Sequence, residues 1–138
     1  MAQRPTLSKV EKPDNAVETA TSFVWIDDGI IHIQSTKGVP STAETVADTF
    51  AAIRGLTSGV PKPVLDDVRG WPGANHGAWG AFVSKALSLF SAIAWVADAE
   101  AVPRLGAFPD TIDRLLVPFA IFTNEADALR FLRGDTGP

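Results

Sequence analysis

The residues best suited to chemistry lie where a short apolar strand runs into a glycine-rich turn that opens a helix. This segment spans Pro63–Trp79, and four of its side chains stand out: Arg69, Trp71, Asn75 and His76. In α/β domains the end of a strand, the following loop and the next helix N-terminus converge, and ligands and partners bind there. These four residues are therefore the candidate binding surface.

Catalysis in this segment would require His76 as a general base, with Asp67 as its partner. A general base also needs a positioned substrate and a group that fixes its tautomer, and the sequence indicates neither. We therefore interpret His76 as an exposed or capping residue and His32 as a histidine packed on a strand. No catalytic residue is predicted, and an enzyme using His76 and Asp67 is the least favoured alternative.

Phosphate-binding and metal-binding motifs are absent around the turn. The P-loop pattern requires Gly-Lys followed by Ser or Thr, and neither follows these glycines. Asp66 and Asp67 are neighbours in a predicted strand, so their carboxylates point to opposite faces and do not share a metal. We expect Asp67 or Arg69 to bind loop N–H groups or to form an ion pair at the strand end. No cofactor and no metal are predicted.

Trp71 is the one tryptophan that falls on a predicted loop, between Gly70 and Pro72. A large aromatic side chain there is typical of an anchor for a partner or of the lid of a pocket. Equally, it can fold down to cover the core. The sequence leaves these alternatives open.

Composition limits the classes of function. The 138-residue chain has no cysteine and a formal net charge of −4, which argues against thiolate chemistry and against nucleic-acid or anionic-membrane surfaces. No apolar run approaches the roughly 18 residues of a membrane span. We expect a cytoplasmic protein with a disordered leader over 1–17, one domain over 18–133 and a flexible tail over 134–138.

Elements alternate along the chain after an N-terminal β-hairpin. Two β-branched and aromatic runs, Phe23–Ile26 and Ile30–Ile33, flank an Asp-Gly pair that is typical of a two-residue hairpin turn. Helical and strand patterns then alternate, which favours right-handed crossovers. The sequence predicts a single α/β domain with a mixed, mostly parallel sheet of about five strands and with four helices.

Local signals set the boundaries of the predicted helices. Ser41–Glu44 is typical of a capping box with Ser41 as the cap, and Gly55 is placed to end that helix. The next helix carries one apolar face that runs from Trp79 to Phe90. Over Val102–Leu116 a proline makes one unbroken helix unfavourable.

Four segments resemble the STAS fold of bacterial anti-sigma-factor antagonists, and more closely the uncharacterised STAS/SEC14 or SpoIIAA-like branch. They are Asp28–Ile33, Pro63–Arg69, Ala92–Val96 and Pro118–Leu132. The last segment is the most specific, with a P-F-x-x-F strand, a polar cap and a short helix. The resemblance covers roughly 20–133 and implies a STAS-like regulatory or interaction domain.

The sequence departs from that family at the point of its regulatory switch. Sigma-antagonist STAS domains carry a phosphorylated Ser or Thr at the start of the helix after the central strand. Here no Ser, Thr or Tyr occurs from Gly59 to Val83. A hydroxyl-based phosphorylation switch is therefore not expected.

The first hypothesis is thus a non-enzymatic STAS-like domain that binds a protein partner, its own copy, or a small apolar or anionic ligand. An edge strand in the hairpin, bearing Phe23, Trp25 and Ile26, would suit a homodimer. The alternative is a carrier of lipid or another small apolar ligand. Its cavity would be lined by Phe82, Leu87, Phe90, Phe108, Leu115 and Leu116.

Overall fold

A six-stranded mixed sheet organises the residues that the computed structural model describes, which are 12–73, 76–105 and 117–134. The strands lie side by side in chain order, the first three antiparallel and the rest parallel. They are β1 (Val17–Glu18), β2 (Ser22–Asp27), β3 (Ile30–Ser35), β4 (Lys62–Asp67), β5 (Phe90–Val96) and β6 (Phe119–Phe122).

Helices cover both faces of this sheet. Their bounds are α1 (Ala43–Thr57), α2 (His76–Leu89), α3 (Val102–Leu105) and α4 (Glu125–Leu132), with a 3-10 turn at Ala99–Ala101. The main core contains apolar residues of α1 and α2 packed on one sheet face. A second core contains residues of α4 packed on residues that alternate with them along the strands, so α4 covers the opposite face.

The predicted fold class is confirmed, and the counts need correction. Six strands replace the expected five because Val17–Glu18, at the boundary of the predicted leader, pairs with β2. Among the described residues, three helices have eight residues or more, and α3 is a single short turn. Most of the predicted helical region Val102–Leu116 lies outside the described residues, as do 1–11 and 135–138.

Two predicted helix boundaries were wrong by a few residues. The N-cap of α1 is Thr42 rather than Ser41, because Thr42 Oγ1 accepts a hydrogen bond from Thr45 N at 3.3 Å while Thr45 Oγ1 accepts from Thr42 N at 2.8 Å. This reciprocal pair satisfies two N–H groups at the start of the helix. The helix also continues past Gly55 to Thr57, where Ser58 adopts a left-handed conformation.

The end of α2 was also misplaced. Phe90 continues the apolar spacing of the helix, yet it is the first residue of β5 and is 1% exposed. A buried aromatic residue between a helix and a strand fits the apolar spacing of either element. The sequence pattern alone therefore does not show where α2 ends and β5 begins.

The hairpin that precedes α1 is as predicted. Asp28 and Gly29 both have positive φ angles, 53° and 75°, as a type I′ turn requires. The prediction that the hairpin strand β2 lies at the edge of the sheet was wrong, because β1 pairs with its residues Phe23 and Val24.

A buried cluster of charges joins α4 to the end of β4. Arg69 forms a bidentate pair with Asp67, at 2.9 Å from Nε to Oδ1 and 2.9 Å from Nη2 to Oδ2. Its Nη2 also lies 2.8 Å from Oε2 of Glu125, the first residue of α4. Asp67 and Glu125 are buried, and the hydrogen bond to Asp67 raises the pKa of Arg69 still further, so the cation is permanent. We call this cluster the Arg69 clamp.

Arg69→Met tests how far the domain depends on the clamp. We expect a loss of about 3–5 kcal/mol in the free energy of unfolding, because two buried carboxylates lose their cation. Urea denaturation at neutral pH measures this loss. Arg133→Ala is the control, since the Arg133–Asp28 pair is 51% and 71% exposed and such pairs contribute about 1 kcal/mol or less. Equal losses in the two variants would contradict a structural role for the clamp.

Candidate functional site

Two loops meet above the carboxyl ends of the parallel strands. The loop after β3 donates from Gly38 N to Gly70 O at 3.1 Å, and from Ser41 N to Gly73 O at 3.1 Å. Gly70 has a φ of 79°, and a Cβ at this position would lie 2.7 Å from Cγ of Lys37. Glycine is therefore required here by backbone conformation and by close packing of the loops.

Trp71 belongs to the second of these loops, and its side chain is half-buried. Its Nε1 donates a hydrogen bond to Ser41 Oγ at 3.1 Å, and its ring packs edge-to-face on Trp95 with centroids 6.0 Å apart. Of the alternatives left open by the sequence, the structure shows Trp71 packed against the main core and lining a pocket.

A cavity lies beneath Trp71, between the sheet and the first halves of α1 and α2. The space that water-sized molecules can occupy is about 70 Å³, several times the roughly 10–15 Å³ that one water needs. Its lining combines hydroxyls, aromatic rings and one carboxylate. The lining residues are Thr21, Ser22, Ile33, Ser35, Ser41, Val46, Thr49, Phe50, Asp66, Val68, Trp71, Ala78, Phe82 and Trp95.

Asp66 is the only ionisable residue among the described residues that line this cavity. It projects from the α1–α2 face of β4, where Ile33 and Trp95 are its neighbours on the adjacent strands. No described residue forms a hydrogen bond or an ion pair with its carboxylate. Burial, together with the charge of Asp67, raises the pKa of Asp66 to about 7.

The two adjacent aspartates have different environments, because successive side chains of a strand point to opposite faces of the sheet. Asp67 points to the α4 face and joins the Arg69 clamp, whereas Asp66 points into the cavity. The predicted divergence of the pair and the predicted ion pair at the strand end are both confirmed. Within the described ranges, no group of three potential metal-ligating side chains lies together.

Of the four predicted binding residues, the structure describes the side chains of two, Arg69 and Trp71. Arg69 is held inside the clamp, and its backbone N also donates to Asp67 Oδ1 at 3.1 Å. Trp71 faces the cavity. Asn75 lies outside the described residues, and so does the side chain of His76, whose backbone begins α2.

His32 is a packed histidine, as predicted. It is 3% exposed on the α4 face of β3, and its ring stacks on Trp25 with centroids 5.1 Å apart and planes 6° apart. Burial lowers the pKa of His32, with Arg133 adding to the effect and Asp27 opposing it. Folding therefore favours the neutral form of the His32 ring.

The residues predicted to line a carrier cavity are divided. Phe82 lines the cavity, but Phe90 is enclosed in the core. The side chain of Leu87 lies outside the described residues, as do Phe108, Leu115 and Leu116.

Sequence reasoning missed Asp66 as a residue of the site. The available signal was its position between Val64 and Val68, which face the core from the same side of β4. A carboxylate at a core position of a strand breaks the expected apolar pattern, and such an exception calls for an explanation.

The domain resembles a crystal structure from Shewanella loihica PV-4, described as an uncharacterized protein of the DUF3478 family with a SpoIIAA-like fold. The TM-score is 0.62 at 14% sequence identity, over 89% of this chain and 99% of that one. At this identity the likeness shows the fold. No curated protein matches the sequence, and none of the described helices has the length and apolar character of a membrane span.

The sequence profile of one family, described as a domain of unknown function (DUF7793), matches residues 24–134. This match extends from within β2 through α4, so it includes the Arg69 clamp and every cavity-lining residue except Thr21 and Ser22. The chain therefore belongs to the DUF7793 family, and its fold is SpoIIAA-like.

Proposed function

We propose that this domain binds a small molecule in the cavity beneath Trp71 and catalyses no reaction of its own. The observation that carries the proposal is the carboxylate of Asp66, which is half-buried, lines the cavity and has no described partner. Small-molecule sites in proteins are mostly apolar clefts with a few placed polar groups. This cavity has that composition and lies at the carboxyl ends of parallel strands, where α/β folds bind ligands.

The cost of keeping Asp66 supports a role in binding. A carboxylate that is partly withdrawn from water and has no cation beside it loses hydration that no described residue replaces, so its ionised form destabilises the folded state. An apolar or amide side chain would fit the same position at lower cost. Groups that lower stability in this way are typical of sites kept for function.

A small ligand fits the structure better than a protein partner at the same loop. A protein-binding loop presents its anchoring side chains outward. Here the polar atoms of Arg69 and Trp71 bond within the domain, to Asp67, Glu125 and Ser41. Trp71 therefore acts as the lid of the cavity in this proposal.

Asp66→Asn should stabilise the domain, and the gain should depend on pH. The carboxylate has a pKa of about 7 when folded and an ordinary value of 3.8. Between these values the unfolded chain loses its proton first, so wild-type stability falls as the pH rises. Above pH 7 the full cost applies, up to about 4 kcal/mol, since one pKa unit corresponds to 1.36 kcal/mol. Urea denaturation across this pH range should show the gain shrinking towards pH 3.8.

Asp67→Asn is the matched control, since it makes the same change one residue away. It should destabilise the domain at neutral pH, because it breaks the bidentate pair with Arg69. A gain of stability in both variants, or in neither, would contradict the distinct environments of the two carboxylates.

Val46→Phe should abolish ligand binding by filling the cavity. Val46 lines the cavity from α1 and is only partly buried, so the larger side chain can enter without disrupting the core. Thermal-shift screening of the wild type against a library of small metabolites should find compounds that raise Tm, and a ligand at a hundred times its Kd stabilises by about 2.7 kcal/mol. Those shifts should disappear in Val46→Phe.

Val60→Phe is the control for that experiment. Val60 is 54% exposed and lies outside the cavity lining, so the same substitution there should leave ligand-induced shifts intact. If no compound stabilises the wild type, or if Val46→Phe responds as the wild type does, the proposed function is wrong.

A further inference from the structure

The described lining of the cavity contains one negatively charged side chain and no positively charged one. Asp66 supplies a negative charge, the other polar side-chain groups of the lining are hydroxyls and the neutral indole N–H groups of Trp71 and Trp95, and no Lys, Arg or His belongs to the described lining. The hydroxyls of Ser22 and Thr49 lie close to each other and to Thr19, at 2.8 Å for Thr19–Ser22 and 3.3 Å for Thr19–Thr49. A carboxylate among hydroxyls offers hydrogen-bond acceptors and no positive charge.

The walls beside Asp66 are aromatic. Trp95 is its neighbour on β5, and Trp71 and Phe82 lie against Trp95 with ring centroids 6.0 Å and 6.2 Å away. Phe50 continues the wall, 5.9 Å from Phe82. The faces of aromatic rings carry partial negative charge and attract cations, most strongly for tryptophan and where water is excluded. Aromatic walls are therefore compatible with a bound cation as well as with an apolar group.

An anionic ligand does not suit this cavity. It would place a second negative charge beside Asp66, and Asp67 is the next residue of the strand. The cation of the clamp lies on the opposite face of the sheet and is shared by two carboxylates. A neutral ligand would suit the apolar walls, but it would leave the ionised form of Asp66 without a counter-charge.

We propose that the cavity takes a small organic amine, whose ammonium group pairs with Asp66 and whose apolar body lies against Trp71, Trp95 and Phe82. This inference rests on the proposed function and names the ligand class of the same site. The ammonium supplies the counter-charge and the hydrogen-bond donors that the described residues do not give Asp66. The size of the cavity restricts the ligand to a molecule of a few carbon atoms or one ring.

The test compares benzylamine, benzyl alcohol and benzoate, which share a ring and differ in charge. Backbone-amide NMR titrations of the wild-type chain above pH 7 should show benzylamine binding about ten- to a hundredfold more tightly than benzyl alcohol, as expected for a charge-assisted hydrogen bond in place of a neutral one. Benzoate should not bind in the cavity. Val46→Phe should remove the benzylamine-induced shifts at the cavity residues.

The pH dependence has a defined sign. Burial and Asp67 together set the pKa of Asp66 at about 7, and no other ionisable group belongs to the described lining. Because the ammonium pairs with the ionised carboxylate, benzylamine affinity should fall about tenfold for each pH unit below 7 and level off above it. A neutral ligand that accepted a hydrogen bond from the protonated carboxyl group of Asp66 would show the opposite trend.

Two variants separate the ligand class from general charge effects. Asp66→Asn should remove both the preference for benzylamine over benzyl alcohol and the pH dependence. Asp48→Asn changes the net charge equally, but Asp48 lies outside the cavity lining and accepts from Ala20 N at 3.3 Å, so both properties should persist.

The possible outcomes distinguish the two proposals. If benzyl alcohol binds as tightly as benzylamine, or if the preference survives Asp66→Asn, the amine inference is wrong while a cavity for small ligands stands. If none of the three probes binds and the metabolite screen also finds no compound, both are wrong. If a blocked lysine peptide competes as strongly as benzylamine, the ammonium site belongs to a protein partner and the small-molecule inference is overturned.

Discussion

The Arg69 clamp is the interaction on which the rest of the structure depends. It holds one guanidinium between Asp67 at the end of β4 and Glu125 at the start of α4, so it fixes the last helix over one face of the sheet. The same residue begins the loop that carries Trp71 back across the strand ends. Because buried carboxylates without this cation would be strongly destabilising, the positions of helix and loop are coupled.

Because β4 is pleated, the clamp also determines which side chain points to the opposite face of the sheet. Fixing Asp67 towards α4 forces Asp66 towards α1 and α2, since adjacent side chains of a strand alternate. One carboxylate thus has a cation and hydrogen bonds, while its neighbour has aromatic and hydroxyl surroundings. The domain stabilises the first by pairing and tolerates the second at a cost in stability, and this asymmetry is the basis of the proposed binding site.

Much of the fold could be predicted because its signals are local. The Asp28–Gly29 turn requires positive φ angles that these residue types favour, and Asn124 caps α4 because its Oδ1 accepts a hydrogen bond from Asp127 N at 2.9 Å. The added strand β1 has no such signal. Its two residues pair with β2, which is part of the hairpin. Contact with another part of the chain, and not the local sequence, therefore makes them a strand.

The site was less predictable than the fold, because a cavity depends on the spacing between elements and not on the period of any one of them. The glycine-rich loop was located correctly, but its aromatic residue turns inward to line the space above Asp66. An anionic ligand, which the position of a helix N-terminus suggests, conflicts with that carboxylate. Under the proposed function, a site with a negative group, aromatic walls and no described cation would select ligands by charge, since repulsion rejects anions and desolvation penalises leaving the carboxylate unpaired. Such selection would depend on β4 and its neighbours, so it would differ from any regulation that a hydroxyl at the helix start would provide.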